Sequence, residues 1–321
     1  MTPERPPIDT VRIPAVCIFN SHSAETSMRL FDFENEIFTL LETRHGKVVV
    51  ALESTNVTTE DSDRIFLLHR IGLGRFDNAR EFLARRDERT YQYARMELLG
   101  GLDSAYPGRI LPLWECADSR ERIDQREKTM REYSRKIVTV LEEASRGYIA
   151  ANVDAFTRLT LQDGSIQHAR EVNAADRIRA KAKLLLAQGD EVAGIVSLFG
   201  SYHTNIASQM KTDTFSVRRI FLDKHIFTPD TAMSRRVSYG LAPPAESFDW
   251  HRALIAAAYY EQHLKDRCNE LALHRRSMEF AALFSTKSQL KSFDRITREM
   301  GFKNAARQLL ADKKQPKNTC V

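Results

Sequence analysis

Residues 11–53 read VRIPAVCIFNSHSAETSMRLFDFENEIFTLLETRHGKVVVALE. Val11 to Phe19 is an apolar, β-branched run closed by Asn20 and Ser21, the pattern of a strand buried on both faces. Ser23 can cap a helix that begins near Ala24. Leu30, Phe33, Ile37, Phe38 and Leu41 then recur at helical spacing and give that helix one apolar face. Gly46 supplies its stop. Lys47 to Glu53 (KVVVALE) is a second buried strand with a carboxylate at its end. Strand, helix and strand in so short a span form a βαβ unit, which requires a parallel sheet.

The same reading extends outward. Arg109 to Glu115 (RILPLWE) is a third strand, Val192 to Phe199 (VAGIVSLF) the most apolar one, and Phe215 to Leu222 (FSVRRIFL) alternates enough to suit an edge. Helical stretches are expected over Asp61–Leu99, Ser119–Thr160 and Glu171–Gln188, the last closed by Gly189. Residues 226–248 hold Pro229, Gly240, Pro243 and Pro244 and read as a connection. Helices follow over Trp250–Leu283 and Lys291–Leu310. The expected fold is α/β, a mostly parallel sheet flanked by helices over residues 1–225. A connecting segment at 226–248 and a helical, basic C-terminal region at 249–321 complete it.

Charge is concentrated in that last region. The chain carries a formal net charge of +5 over its 321 residues. From Ser285 to Val321, nine Lys/Arg face three acids, a net of +6. The rest holds 39 basic and 40 acidic groups, a net of −1, so the body of the protein is not a nucleic-acid binder on charge grounds. Within the basic segment, Lys287, Lys291, Arg295 and Arg298 recur every three or four residues beside Leu290, Phe293 and Ile296. That face can meet an anionic partner; the plainer and favoured reading is a docked helix with a solvated basic side. The apolar runs are too short to cross a bilayer. Met1 to Pro7 lacks the basic-then-apolar order of a signal peptide, so a cytoplasmic protein is expected. The four cysteines (Cys17, Cys116, Cys268, Cys320) are too scattered for a zinc ribbon or a disulfide framework.

In a parallel sheet, functional groups gather outside the carboxyl ends of the strands. After the first strand comes Asn20-Ser21-His22-Ser23; the second ends in Glu53-Ser54; the third ends in Glu115, with Asp118 nearby; after the fourth comes Gly200-Ser201-Tyr202-His203. Each histidine alone is more often a satisfied loop residue. Two histidines and a carboxylate on one sheet edge raise the odds of a site. Competing signals are weak. There is no P-loop, no Gly-x-Ser-x-Gly elbow and no His-Glu-x-x-His, and the Gly-x-Gly of RIGLGRF (70–76) follows no strand.

These residues resemble a superfamily comprising the erythromycin esterase-like, ChaN-like and TraB/Tiki-like proteins. Its pattern is a Gly-x-x-His after the first strand, a Glu ending the second, an Arg on a later helix and a second Gly-x-x-His. Phe19-Asn20-Ser21-His22 stands at the first position, Glu53 at the acid, Arg177 (in NAADRIRA, 173–180) at the arginine and Gly200-Ser201-Tyr202-His203 at the second motif. The resemblance spans Val11 to Leu222. The departure is Phe19 in place of Gly.

The resemblance implies a hydrolase of an ester or amide bond acting on a small molecule or peptide. In one version His22, Glu53 and His203 ligate a divalent metal. In another, one histidine oriented by Glu53 is a general base without metal. Arg177 is then the electrophilic clamp, against a plain ion pair with Glu53 or Asp176. The alternative function is a non-catalytic module holding haem or another small ligand on the same scaffold.

Overall fold

The computed structural model describes residues 12–20, 30–53, 99–114, 120–200, 203–222, 229–241, 247–263 and 270–314. The expected helix over Asp61–Leu99 lies almost wholly outside them. Strands β1 (Ile13–Asn20), β2 (Lys47–Leu52), β3 (Ile110–Trp114), β4 (Val192–Gly200) and β5 (Phe215–Phe221) form one sheet. Their order is β3-β2-β4-β1-β5, and every pairing is parallel. The fold is α/β, as the opening stretch requires.

Helix α1 (Leu30–Thr43) connects β1 to β2, yet these strands are not neighbours. β4 lies between them. It is apolar on both faces and buried along almost its whole length, so it needs a strand on each side. β5 is the contrary case: Arg218 and Arg219 are exposed, and it takes an edge.

Successive strand residues alternate between two cores. Ile18, Val50 and Val196 pack with Phe33 and Ile37 of α1. Cys17, Phe19, Ile195 and Phe199 pack with Ala175 and Ile178 on helix α3 (Ile149–Ala187) and with Ile206 on helix α4 (Asn205–Met210).

Two helices were expected over 119–160 and 171–188. The structure has α2 (Arg120–Ser145), a break at Gly147 with φ +91°, and then α3 as one helix of 39 residues. No proline interrupts the span 149–187. Gly164 in its middle serves packing against helix α5 (Pro229–Ser238). A Cβ there would stand 2.5 Å from Val237 Cβ and 2.6 Å from the Ser234 carbonyl oxygen. Helix α5 itself lies in the segment expected to be a connection.

The chain divides into two compact units. The sheet unit comprises residues 1–125 and 170–225; the helical unit comprises 126–169 and 226–321. Residues 126–169 therefore belong with the C-terminal helices and not with the sheet. Their apolar stripe explains it: Ile137, Val140 and Leu141, with Phe156, share one core with Trp250 and Phe280.

The helical unit also holds α6 (Ser247–His263), α7 (Glu270–Ala281), α8 (Lys287–Met300) and α9 (Phe302–Lys314). A capping box of Thr286 and Gln289 starts α8, which buries Leu290, Phe293, Asp294 and Thr297 and exposes Lys287, Lys291, Arg295 and Arg298. Among the described residues no helix is long and apolar enough to cross a membrane.

Candidate functional site

The site lies in the sheet unit, at the carboxyl ends of β2 and β4. Glu53 is the first residue beyond β2, and its backbone N–H donates to the Leu198 carbonyl of β4 at 3.2 Å. This fixes the carboxylate over the next strand end, where Oε2 accepts the Gly200 N–H at 2.5 Å. Oε1 meets two cations. Arg170 of α3 donates to it at 3.2 Å, and His203 Nε2, in the turn leading to α4, stands 3.3 Å away. Glu171, the next residue on α3, places Oε1 3.8 Å from His203 Nδ1, an ion-pair distance longer than a hydrogen bond.

These groups are shielded from water. Glu53 is 5 %, His203 4 % and Glu171 0 % exposed; the Arg170 side chain is the most open, at 19 %. Burial pushes the His203 imidazole toward its neutral form, and so does Arg170. Glu53 and Glu171 together outweigh both, and the pKa is raised to about 9. His203 is thus an imidazolium at neutral pH, with one ring nitrogen facing each carboxylate.

Of the residues singled out in the sequence, the structure brings Glu53 and His203 together. His22 lies outside the described residues, as do Ser21, Ser54, Glu115, Asp118, Ser201 and Tyr202. Strand β1 ends beside β4, with Asn20 opposite Gly200. Phe19, which stands where the resembled pattern has Gly, is fully buried in the core opposite Phe199, its ring 5.4 Å from that of Phe221. Its bulk goes into packing.

The arginine on Glu53 is Arg170, not Arg177. The two are seven residues apart, two turns on the same helix face, so the periodicity alone does not choose between them. Arg177 is half-buried further along α3. Length does choose. The nine residues of β4 rise about 26 Å, which a returning helix covers in about 17 residues. Counting back from Ala187 reaches position 170, the carboxyl edge of the sheet, while Arg177 falls short of it. Glu171 carried no sequence signal beyond its place beside Arg170.

Among the described residues no group of three or more His, Cys, Asp or Glu side chains is arranged to hold a metal ion. Glu53 and His203 themselves fit one poorly. The oxygen that would ligate it carries the Arg170 guanidinium, which sets a fixed positive charge beside the cation. His203 does not fit as a haem ligand either, since each ring nitrogen faces a carboxylate. No family model, curated protein or solved structure matches the chain.

Proposed function

We propose that the chain is a hydrolase of an ester or amide bond, acting on a small molecule or peptide, with His203 as its acid. The observation that supports this reading is the Glu53 carboxylate, which gathers His203, Arg170 and the Gly200 N–H at the carboxyl edge of a parallel sheet. A histidine that stays charged at neutral pH donates a proton and does not accept one, so the role of His203 is to protonate the departing alcohol or amine. Arg170, the most open of the charged groups, faces the oxyanion that forms when water adds to the carbonyl carbon. His22, which follows β1 in the sequence, is the base that takes the proton from that water. Glu53 orients both cations and is itself held by Gly200.

The test is hydrolysis of p-nitrophenyl esters and chromogenic amides by the full chain and by His203→Gln, Arg170→Gln and His22→Gln. Turnover by the parent chain is expected, with losses of about 100-fold or more in kcat for His203→Gln. The reading fails if the parent chain is inert on both substrate classes, or if His203→Gln keeps its circular dichroism spectrum and its turnover.

A further inference from the structure

We infer that Glu171 is a positioning residue for His203, holding the imidazole from the Nδ1 side while Glu53 holds it from the Nε2 side. Its meaning for turnover rests on the hydrolase reading; its meaning for the imidazole does not.

Glu171 is wholly buried, and neither of its carboxyl oxygens has a hydrogen-bonding partner among the described residues. A carboxylate out of water and without donors is costly, and a leucine or glutamine of similar size would fill the space more cheaply. The cation that offsets this cost is the His203 imidazolium, 3.8 Å away. The helix explains why the two neighbours on α3 act differently. Consecutive helical side chains diverge by about 100°. Arg170 therefore reaches Glu53 at the sheet edge, while Glu171 points inward toward the other side of the ring. Among the described residues, the charged groups that face the imidazole include Glu53 just beyond β2, and Arg170 and Glu171 from α3.

With a carboxylate facing each ring nitrogen, Glu53 and Glu171 together set the balance between the two tautomers of the neutral ring. When Nε2 gives its proton to a leaving oxygen or nitrogen, the bonding pair stays on the ring and the remaining proton must sit on Nδ1. A carboxylate facing Nδ1 stabilises that tautomer, as it does wherever an imidazole works between two partners. Glu171 therefore stabilises the Nδ1–H form, against the Nε2–H form that the nearer Glu53 carboxylate favours.

The experiment is an NMR pH titration of the full chain labelled with 15N and 13C in histidine, with the His203 signals assigned by their loss in His203→Gln. In the parent chain the midpoint is expected near 9, with Glu53 favouring the Nε2–H form of the neutral ring and Glu171 the Nδ1–H form. In Glu171→Gln the midpoint should fall by about one pH unit or more, and the neutral ring should shift toward the Nε2–H form that Glu53 favours. An unchanged midpoint and an unchanged tautomer in Glu171→Gln overturn the proposal. Should Glu171→Gln fail to fold, Glu171→Asp keeps the charge but withdraws it by one methylene. A lower midpoint there supports the proposal, and an unchanged one overturns it. Turnover reports separately. With an active parent chain, Glu171→Gln should lose about tenfold or more in kcat with KM within about twofold. A shifted titration in a chain that hydrolyses nothing would leave Glu171 as the holder of His203 and remove only the hydrolase reading.

Discussion

His203 keeps a proton that its burial by itself would remove, and this links the stability of the sheet unit to pH. The folded pKa, about 9, lies above the ordinary histidine value, 6.5. The imidazolium therefore contributes its full stabilisation below the ordinary value, and loses it as pH rises through the folded one. The difference corresponds to a contribution on the order of 3 kcal/mol. Urea unfolding midpoints should accordingly fall between pH 6.5 and 9, and His203→Gln should flatten that fall; a parent profile already level over this window would contradict it. Cys17 makes the opposite case of a titratable side chain placed for inertness. Burial raises its thiol to about 11, against smaller opposing effects of Ser197 and Arg219, and its sulfur lies 3.9 Å from that of Met210. Iodoacetamide at pH 8, read by peptide mapping, should leave Cys17 unmodified until the protein is unfolded.

At the scale of elements, two junctions show how a helix start or a helix crossing depends on residues far away in the chain. Helix α3 begins where Asp294 of α8 accepts the N–H groups of Ile149 and Ala150, at 3.0 and 3.1 Å. Burial pushes the Asp294 carboxyl up, while those two N–H groups, Arg298 and His251 pull it back. Asp294→Ala should cost about 1–2 kcal/mol in denaturant unfolding, the usual worth of such a cap. Gly164 tests two effects against each other. Alanine is better than glycine inside a helix by about 1 kcal/mol. Here a methyl would press on Val237 and the Ser234 carbonyl, and crowding of that kind costs about 1–3 kcal/mol. Gly164→Ala should therefore destabilise the protein, and a rise in melting temperature would refute the close crossing of α3 and α5. The strands were legible in the sequence because each is a short apolar run with its own stops. The unity of α3 was not, because the reason for Gly164 lies some 70 residues downstream. The site divides in the same way. Glu53 and His203 could be placed because they follow strand ends, whereas Arg170 and Glu171 sit on a helix whose repeat presents an equivalent face every two turns.

For the whole molecule, the useful consequence is that neither compact unit is one continuous stretch of chain. A fragment ending at residue 225 contains all five strands but strips Ile137, Leu141 and Phe156 of Trp250, Phe280 and the rest of their core. It should aggregate, or show a poorly dispersed NMR spectrum, where a self-sufficient domain would give sharp peaks. Removing residues 285–321 should likewise unfold the helical unit, since Leu290, Phe293 and Phe302 leave with the charge. Replacing Lys287, Lys291 and Arg295 by glutamine should shift unfolding by no more than about 0.5 kcal/mol each, as befits exposed side chains. The charges of Lys287, Lys291, Arg295 and Arg298 are thus carried on a folded helix. The position of β4 bears on how the chain is made. Its two neighbours are complete by Leu52, but β4 starts at Val192, about 140 residues later. At the pace of synthesis, β1 and β2 leave the ribosome about 10–30 s before the strand that separates them. During that interval they can pair wrongly with each other, or with another nascent chain, along the very edges that β4 will occupy. The central strand of this sheet is therefore made long after both of its neighbours, with only the edge strand β5 still to come, and the yield of native protein depends on keeping that slot open.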